Sequence, residues 1–515
     1  MSHCEKNAVT WDGPMDPENP FNWPTSKKWR VTLLACFMTF ISSISGTALA
    51  PTAPLLTSTF DLPPDAASTI PPTYYPIFTW TLSAGAIPLI LLPVMETYGI
   101  RLPYLLCLLT LILTTLPQAL APPSAYGLLL AIRILTGGAA GVLQNVTGGI
   151  IGDVWAGPRA RSTPVALYIW ALVAGLMIGP VIGGAITRST SASSPPPSSI
   201  SSSTDESGRL SWRWVPWTQL IAYTLALPLI YALLPETRGT AILARIVGEE
   251  ARQSPLAVLK DAVGRPLRML LTEPLVFCST LWSAFCFGNA LLFTQSIPRV
   301  YGQAYGWEAW RCGLVQGALV GGVTLGLALS PIQDRWYAGT ETSIDPEKEE
   351  GGGEVEREEW GGEHFLPEAR LYLSVPASFL GLAGGLFVYA WTATPEIHWM
   401  APTAGLGLVG VGIFAVVAAA SNYVEDSYSL YAASALAGVA FGENLTGAFL
   451  PLAEQALYTN LGVRWASSLL ALVAVGLSFA PVVLLWKGKA IRARSPFIRE
   501  ATYETKGSGQ TLTEH

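Results

Sequence analysis

Apolar runs of about twenty residues recur along this chain between short polar intervals, and each is long enough to carry a helix across the roughly 30 Å apolar core of a bilayer. They fall at about Val31 to Ala50, Tyr74 to Met95, Leu102 to Ala121, Ala125 to Gly149, Thr163 to Thr187 and Trp214 to Leu234. A polar interval follows, and then six more runs at Pro274 to Val300, Trp310 to Gln333, Leu371 to Thr394, Trp399 to Ser421, Ser427 to Pro451 and Trp465 to Trp486. The pattern predicts an all-α integral membrane fold of twelve transmembrane helices in two six-helix pseudo-repeats. The fifth, eighth and tenth runs are Gly-rich, which membrane helices tolerate where neighbours approach closely.

The intervals divide the chain into a polar N-terminal tail (1–30), a first six-helix half (31–234), a linker (235–273), a second half (274–486) and a C-terminal tail (487–515). Because the first run begins only near Val31 and is long enough to span, it is expected to be a retained helix and not a cleaved signal. The linker carries amphipathic patterns at Ala241 to Ile246 and Pro255 to Leu271. The Ser/Pro-rich stretch from Ser191 to Gly208 and the acidic run from Asp345 to Trp360, within the interval 340–365, are expected to be solvated and disordered, because neither has apolar surface to bury.

Lys and Arg set the orientation. With the N-terminus inside, the inner intervals hold twenty-three of these residues and the outer ones six, Arg188, Arg209, Arg213, Arg299, Arg311 and Arg464. Both termini are therefore expected to be cytoplasmic, in a multi-pass protein of the plasma membrane.

Half of the 515 residues are hydrophobic and only 13% are charged, about half the share of a soluble domain. The net charge of −6 and the lack of a basic, aromatic-interleaved stripe make nucleic acid an unlikely match in chemistry, leaving a small-molecule substrate and the lipid bilayer as expected partners of a monomer. The six cysteines form no C-x-x-C and sit mostly in apolar runs, as small core residues do. The four histidines lie in tails or loops, so no metal site is expected, and no catalytic constellation or G-x-x-x-x-G-K-[ST] loop is present. Uphill transport by such a chain must then draw on an ion gradient, here expected to be protons, with no bound cofactor.

Several residues stand out against this background. Arg133, within AIRILTG of the fourth run, needs a partner or a wet cavity at membrane depth. Glu443, in FGENLTG of the eleventh, is the acid placed well inside a span, and the two are the candidates for proton coupling. Helical rise puts them at similar depth, so they either pair or face a cavity separately. Gly175, Gly179 and Gly183 recur at i, i+4 and i+8 with Pro180 and Gly184 beside them, a face that admits a close helix neighbour. Gln144, Asn289 and Asn444 are candidate substrate contacts, with interhelical hydrogen bonding as the plainer role. The sequons at Asn145 and Asn444 fall inside spans and are not expected to be glycosylated. The two halves echo one another: Glu96 and Arg101 after the second run answer Asp334 and Arg335 after the eighth, and Asp153 after the fourth answers Asp426 after the tenth.

These motifs resemble the major facilitator superfamily, and within it the fungal drug:proton antiporters. The resemblance covers most of the chain, through DPENPFNWPTSKKW, AIRILTGG, GDVWAGPRARS, GLMIGPVIGG, LPETRG, GRPLRMLLTEP, PEARLYLSVPA, NYVEDSY, LYTNLGVRWASSLLA and IRARSPF. It implies a charged cytoplasmic latch at Glu96, Arg101, Asp153, Asp334, Arg335 and Asp426, a proton-coupling Arg133, and an antiporter motif at Gly175, Gly179, Pro180, Gly183 and Gly184. It also implies proton-coupled efflux of small organic molecules such as a drug, toxin or secondary metabolite, by alternating access. Ile100 stands where the family's latch is often basic, Glu443 stands where relatives commonly carry a basic residue, and the Ser/Pro loop is longer than the family's. Proton-coupled uptake of a nutrient uses the same fold and Arg. A membrane enzyme or receptor fits less well, the first for want of catalytic groups and the second because of the repeated latch.

Overall fold

The computed structural model describes residues 11, 16–63, 71–192, 212–247, 255–340, 366–428 and 431–499. The Ser/Pro loop from residue 193 onward, the acidic loop, and most of both tails, with His3, His364, His515 and Cys4, lie outside the described residues.

The membrane-crossing helices are numbered α1 to α12 in chain order. The first half comprises α1 (Thr25–Thr47), α2 (Tyr75–Tyr98), α3 (Arg101–Leu120), α4 (Tyr126–Val154), α5 (Pro158–Ala192) and α6 (Trp214–Leu233). The second comprises α7 (Pro274–Tyr305), α8 (Ala309–Gly339, with an irregularity at Gln316), α9 (Pro367–Thr392), α10 (Met400–Tyr428), α11 (Ala432–Phe449) and α12 (463–492). Among the described residues, eleven continuous apolar segments are long enough to span, but the last runs from Ala432 to Arg492 over 61 residues. At 1.5 Å per residue that is about 90 Å, three times the hydrocarbon thickness. It is broken by the 3-10 turn Leu450–Ala453 and again at Gly462, whose φ of 72° and ψ of 168° no side-chain-bearing residue adopts cheaply. Two helices therefore cross there, and twelve crossings put both ends of the chain on one side, here called the terminal face.

Helices outlast the apolar runs at their polar ends. α10 continues from Ser421 to Tyr428, so Ser427 ends this helix and does not open α11. Its final turns carry Glu425 and Asp426, whose ion pairs hold them in helical form. Gly99 ends α2 with φ of 100°, and Glu236 then satisfies the first free N–H groups beyond it, accepting from Ile100 N at 2.9 Å and Arg101 N at 3.0 Å.

Without a hydrophobic drive between helices in lipid, tight backbone approach does the joining. In the first half Gly137 and Gly141 of α4 lie against the backbone of Trp80 and Ala84 on α2; in the second, Gly322 of α8 lies against Gly407 and Gly410 of α10. The same pair of helices is thus zipped by glycine in each repeat, which accounts for the Gly-rich eighth and tenth runs. The halves meet along two seams, α2 with α11 and α5 with α8. Linker helix Pro255–Thr272 packs against α2, α7 and α11, burying Met269.

Candidate functional site

A cluster of charges at the terminal face joins the halves. Arg370, at the start of α9, is buried at 3% side-chain exposure. Its Nε donates to Asp426 of α10 at 2.8 Å and its Nη1 lies 3.8 Å from Asp334 of α8. The same guanidinium reaches into the first half, donating to Ser162 Oγ at 2.9 Å and to the Pro158 carbonyl at 3.2 Å. Its plane lies 3.7 Å from the Tyr337 ring. Ser162 in turn donates to Asp334, and Arg161 pairs with Glu425. The first turn of α5 is therefore held by three helices of the other half, through charge-assisted bonds that are the stronger kind.

Asp153 and Asp426 occupy matching places at the ends of α4 and α10. Asp153 receives Arg238 Nη1 at 2.9 Å, with Glu96 and Glu236 close by, and Arg101 donates to the Tyr231 carbonyl at 3.0 Å. These contacts stay within the first half and the start of the linker, and none reaches the second half. Arg335 is exposed and pairs with no described acid. The counterpart of Arg101 at the start of α3 is Arg370 at the start of α9, which the sequence pairing of Arg101 with Arg335 passed over.

Arg133 is fully buried and holds no carboxylate. Its Nε donates to the Pro76 carbonyl at 2.9 Å, Nη1 to Ser45 at 2.9 Å and Nη2 to Gly46 at 3.0 Å. Ser45 and Gly46 end α1, where carbonyls lack intrahelical donors. Arg133 supplies those donors from α4 and binds α1, α2 and α4 at one point. Of the two arrangements the sequence left open, pairing with Glu443 is the one the structure does not adopt.

Glu443 is 6% exposed on α11 and accepts a hydrogen bond from Ser283 of α7. Its charge is felt by Cys286 and, from the opposite half, by Tyr168 of α5. The next residue, Asn444, presses its Cβ against Gly85 of α2 and donates to its own helix at 2.9 Å. Glu443 thus stands at the seam between the halves. Gln144 donates to Ser43 Oγ at 2.9 Å, a bond within the first half. Asn289 donates to the Phe285 carbonyl at 2.8 Å, while its buried Oδ1 has no protein partner. Phe40 and Trp170 stack at 5.7 Å with planes 3° apart. The candidates form no single cluster: Glu443, Asn289 and Asn444 line α7 and α11, whereas Gln144 and Arg133 belong to the packing of α1 and α4.

The glycines of α5 do two jobs. Gly175, Gly179 and Gly183 receive α1, and a methyl at any of them would collide with Phe40, Thr47 or Ala48 respectively. Pro180 and Gly184 lie on the adjoining face against α8, where a methyl on Gly313 would come 2.7 Å from the Pro180 carbonyl. Arg161 and Ser162 lie within GDVWAGPRARS, Arg370 within PEARLYLSVPA and Glu425 within NYVEDSY, yet none of them was singled out, and Ser283 and Tyr168 lie in no motif. For Arg370 the repeat offered a signal, an Arg at the start of the third helix of each half.

Residues 35–344, more than half of the chain, match the family model described as Major Facilitator Superfamily. The chain belongs to the major facilitator superfamily. It is 31% identical over 509 residues to the MFS-type transporter mpsC of Macrophomina phaseolina, covering 96% of this chain and 90% of that protein. It is 28% identical over 512 residues to the efflux pump radE of Floropilus chiversii, covering 96% and 86% respectively. Among solved structures, the proton:xylose symporter XylE bound to 6-bromo-6-deoxy-D-glucose superposes with a TM-score of 0.62 at 15% identity, over 90% of this chain and 96% of that one, a likeness of fold. As a member of this superfamily the protein is a multi-pass membrane transporter of small molecules and not an enzyme.

Proposed function

We propose that the protein exports small organic molecules, of the drug, toxin or secondary-metabolite kind, across the plasma membrane in exchange for protons, as a monomer with both termini cytoplasmic. The observation that carries this reading is Glu443, a carboxyl deep in a span, hydrogen-bonded to Ser283 and next in sequence to Asn444, whose Cβ packs on Gly85 of the other half. A carboxyl at the seam is reached from one side and then the other as the halves rock, which is what carrying a proton requires. The efflux pump among its relatives and the α5 glycines favour export over uptake. The terminal-face cluster serves as the cytoplasmic latch, with Asp153, Glu96 and Arg101 bracing the first half, and Arg133 holds the first-half helices in register. No cofactor is needed beyond the proton gradient.

The test is efflux from proteoliposomes loaded with a fluorescent lipophilic substrate under an imposed pH gradient. Glu443→Gln should abolish the acceleration by the gradient while leaving the protein folded and monodisperse. Full gradient dependence in that variant would assign coupling elsewhere.

A further inference from the structure

The end of α5 opposite the terminal-face cluster also reaches the other half, and among the described residues it does so without an ion pair. Arg188 lies over the ring of Trp310, 3.9 Å from its centroid. Arg188 belongs to the first half and Trp310 to the first turn of α8 in the second. The ring is fixed from its other edge, since Trp310 Nε1 donates to Glu308 Oε2 at 2.6 Å. Directly beneath, the two backbones touch. A methyl on Gly184 would come 3.3 Å from the Trp310 Cα and carbonyl oxygen, and Gly313 admits the Pro180 carbonyl. The close approach depends on Gly313, where a methyl would clash with the Pro180 carbonyl, and is tight at Gly184.

We infer that Arg188 and Trp310 are the positioning residues of the outer gate, a cation–π clasp that must part for substrate to leave. α5 then carries both gates of the transporter. Its first turn is bonded through Arg161 and Ser162 to the acids of the terminal face, and its last turns are clasped through Arg188 to Trp310. Rocking α5 against α8 opens one end as it closes the other. A planar guanidinium on an indole face slides and re-forms without a fixed hydrogen-bond geometry. Because Trp310 is neutral, the clasp is also less sensitive to salt than the paired charges at the opposite end.

The assignment of this gate to the outside rests on the proposed orientation, and the experiment separates the two. Met177, 2% exposed, lies on the same face of α5 as Pro180 and Gly184, in a buried apolar cluster that also holds Cys312, Val315 and Leu319 of α8. Met177→Cys, in a chain whose native cysteines are replaced by alanine and which still transports, reports opening when treated with a membrane-impermeant maleimide. Labelling of intact cells is compared with labelling of inside-out vesicles. Arg188→Gln and Trp310→Ala should each raise the labelling rate in intact cells by about 2- to 5-fold, the scale of an exposed cation–π contact. Arg188→Lys and Trp310→Phe should retain most of the protection. Unchanged labelling in Arg188→Gln would overturn the clasp even if Trp310→Ala labels faster, because ring packing alone would then explain protection. A rise confined to inside-out vesicles would uphold the clasp and overturn the orientation.

Discussion

Arg370 and Ser162 stand on opposite halves of the transporter, and their side chains meet, Nη1 to Oγ, at 2.9 Å. Ser162 passes the contact on to Asp334, which Arg370 also faces. One buried guanidinium thus satisfies two acids of its own half and two oxygen acceptors of the other. Under the proposed latch, parting the halves at this face would take Ser162 and Pro158 from Arg370, while Asp426 lies on its own half.

Removing Arg370 therefore does more damage than removing its cross-half partner. Arg370→Ala leaves Asp426 and Asp334 without their buried counter-charge, a loss of about 3–5 kcal/mol, and should lower the melting temperature of the purified protein by many degrees. Ser162→Ala deletes only the bridge and should cost about 1 kcal/mol. Its larger effect should be on conformation, with faster modification of the terminal face by an impermeant reagent. Thermal denaturation and labelling of both variants decide this.

Arg161 and Glu425 form an ion pair directly between the halves, and both are partly exposed, at 21% and 16% of their side chains. Solvent weakens such pairs, so Arg161→Gln should change stability by about 1 kcal/mol or less. Its effect should appear in transport rate and should shrink as salt is raised, because screening already weakens the pair in the unsubstituted protein. Equal defects at low and high salt would point to packing instead.

Arg133 offers three N–H groups to three carbonyls on two neighbouring helices. Arg133→Lys keeps the charge but not the planar fork, so it should fold less stably by about 1–3 kcal/mol and transport slowly. Arg133→Ala should abolish transport together with the α1–α2–α4 packing. Thermal stability distinguishes this structural role from a purely proton-relaying one, for which Arg133→Lys would melt like the parent.

Gly183 of α5 lies so close to the Ala48 carbonyl of α1 that no side chain fits. Gly183→Ala should cost about 1–3 kcal/mol through forced backbone shifts, whereas alanine at Gly149 of α4, where a methyl meets nothing within 4 Å, should be neutral or slightly stabilising. Expression level and melting temperature of the two variants give the comparison.

The twelve helices were legible because apolar length is written into every span, and a bilayer admits few other solutions. The ends were less so. α10 runs on through Glu425 and Asp426 to Tyr428 because Arg161 of α5 and Arg370 of α9 hold those acids, and no window of hydropathy contains that information. The α5 glycines were readable as a close-packing face, but not that two different helices use adjoining sides of it. Arg133 was readable as a residue in need of partners, though the partners proved to be carbonyls, which every residue carries and no pattern marks. Arg335 was singled out by adjacency to Asp334, yet it points away, while Arg370 thirty-six residues later closes the cluster. Ser283, bonded to Glu443, and Tyr168, which feels its charge, come from separate halves, and only the folded chain brings them together.

The most direct measurement of the central claim is retention of a panel of lipophilic cations, weak acids and polyamines in cells with and without the protein, each with and without a protonophore. Proton-driven export predicts lower retention of at least one class in cells that carry the protein, with the difference abolished by the protonophore. Higher retention that collapses with the protonophore would contradict the account, make the protein an importer, and leave the α5 glycines as packing alone.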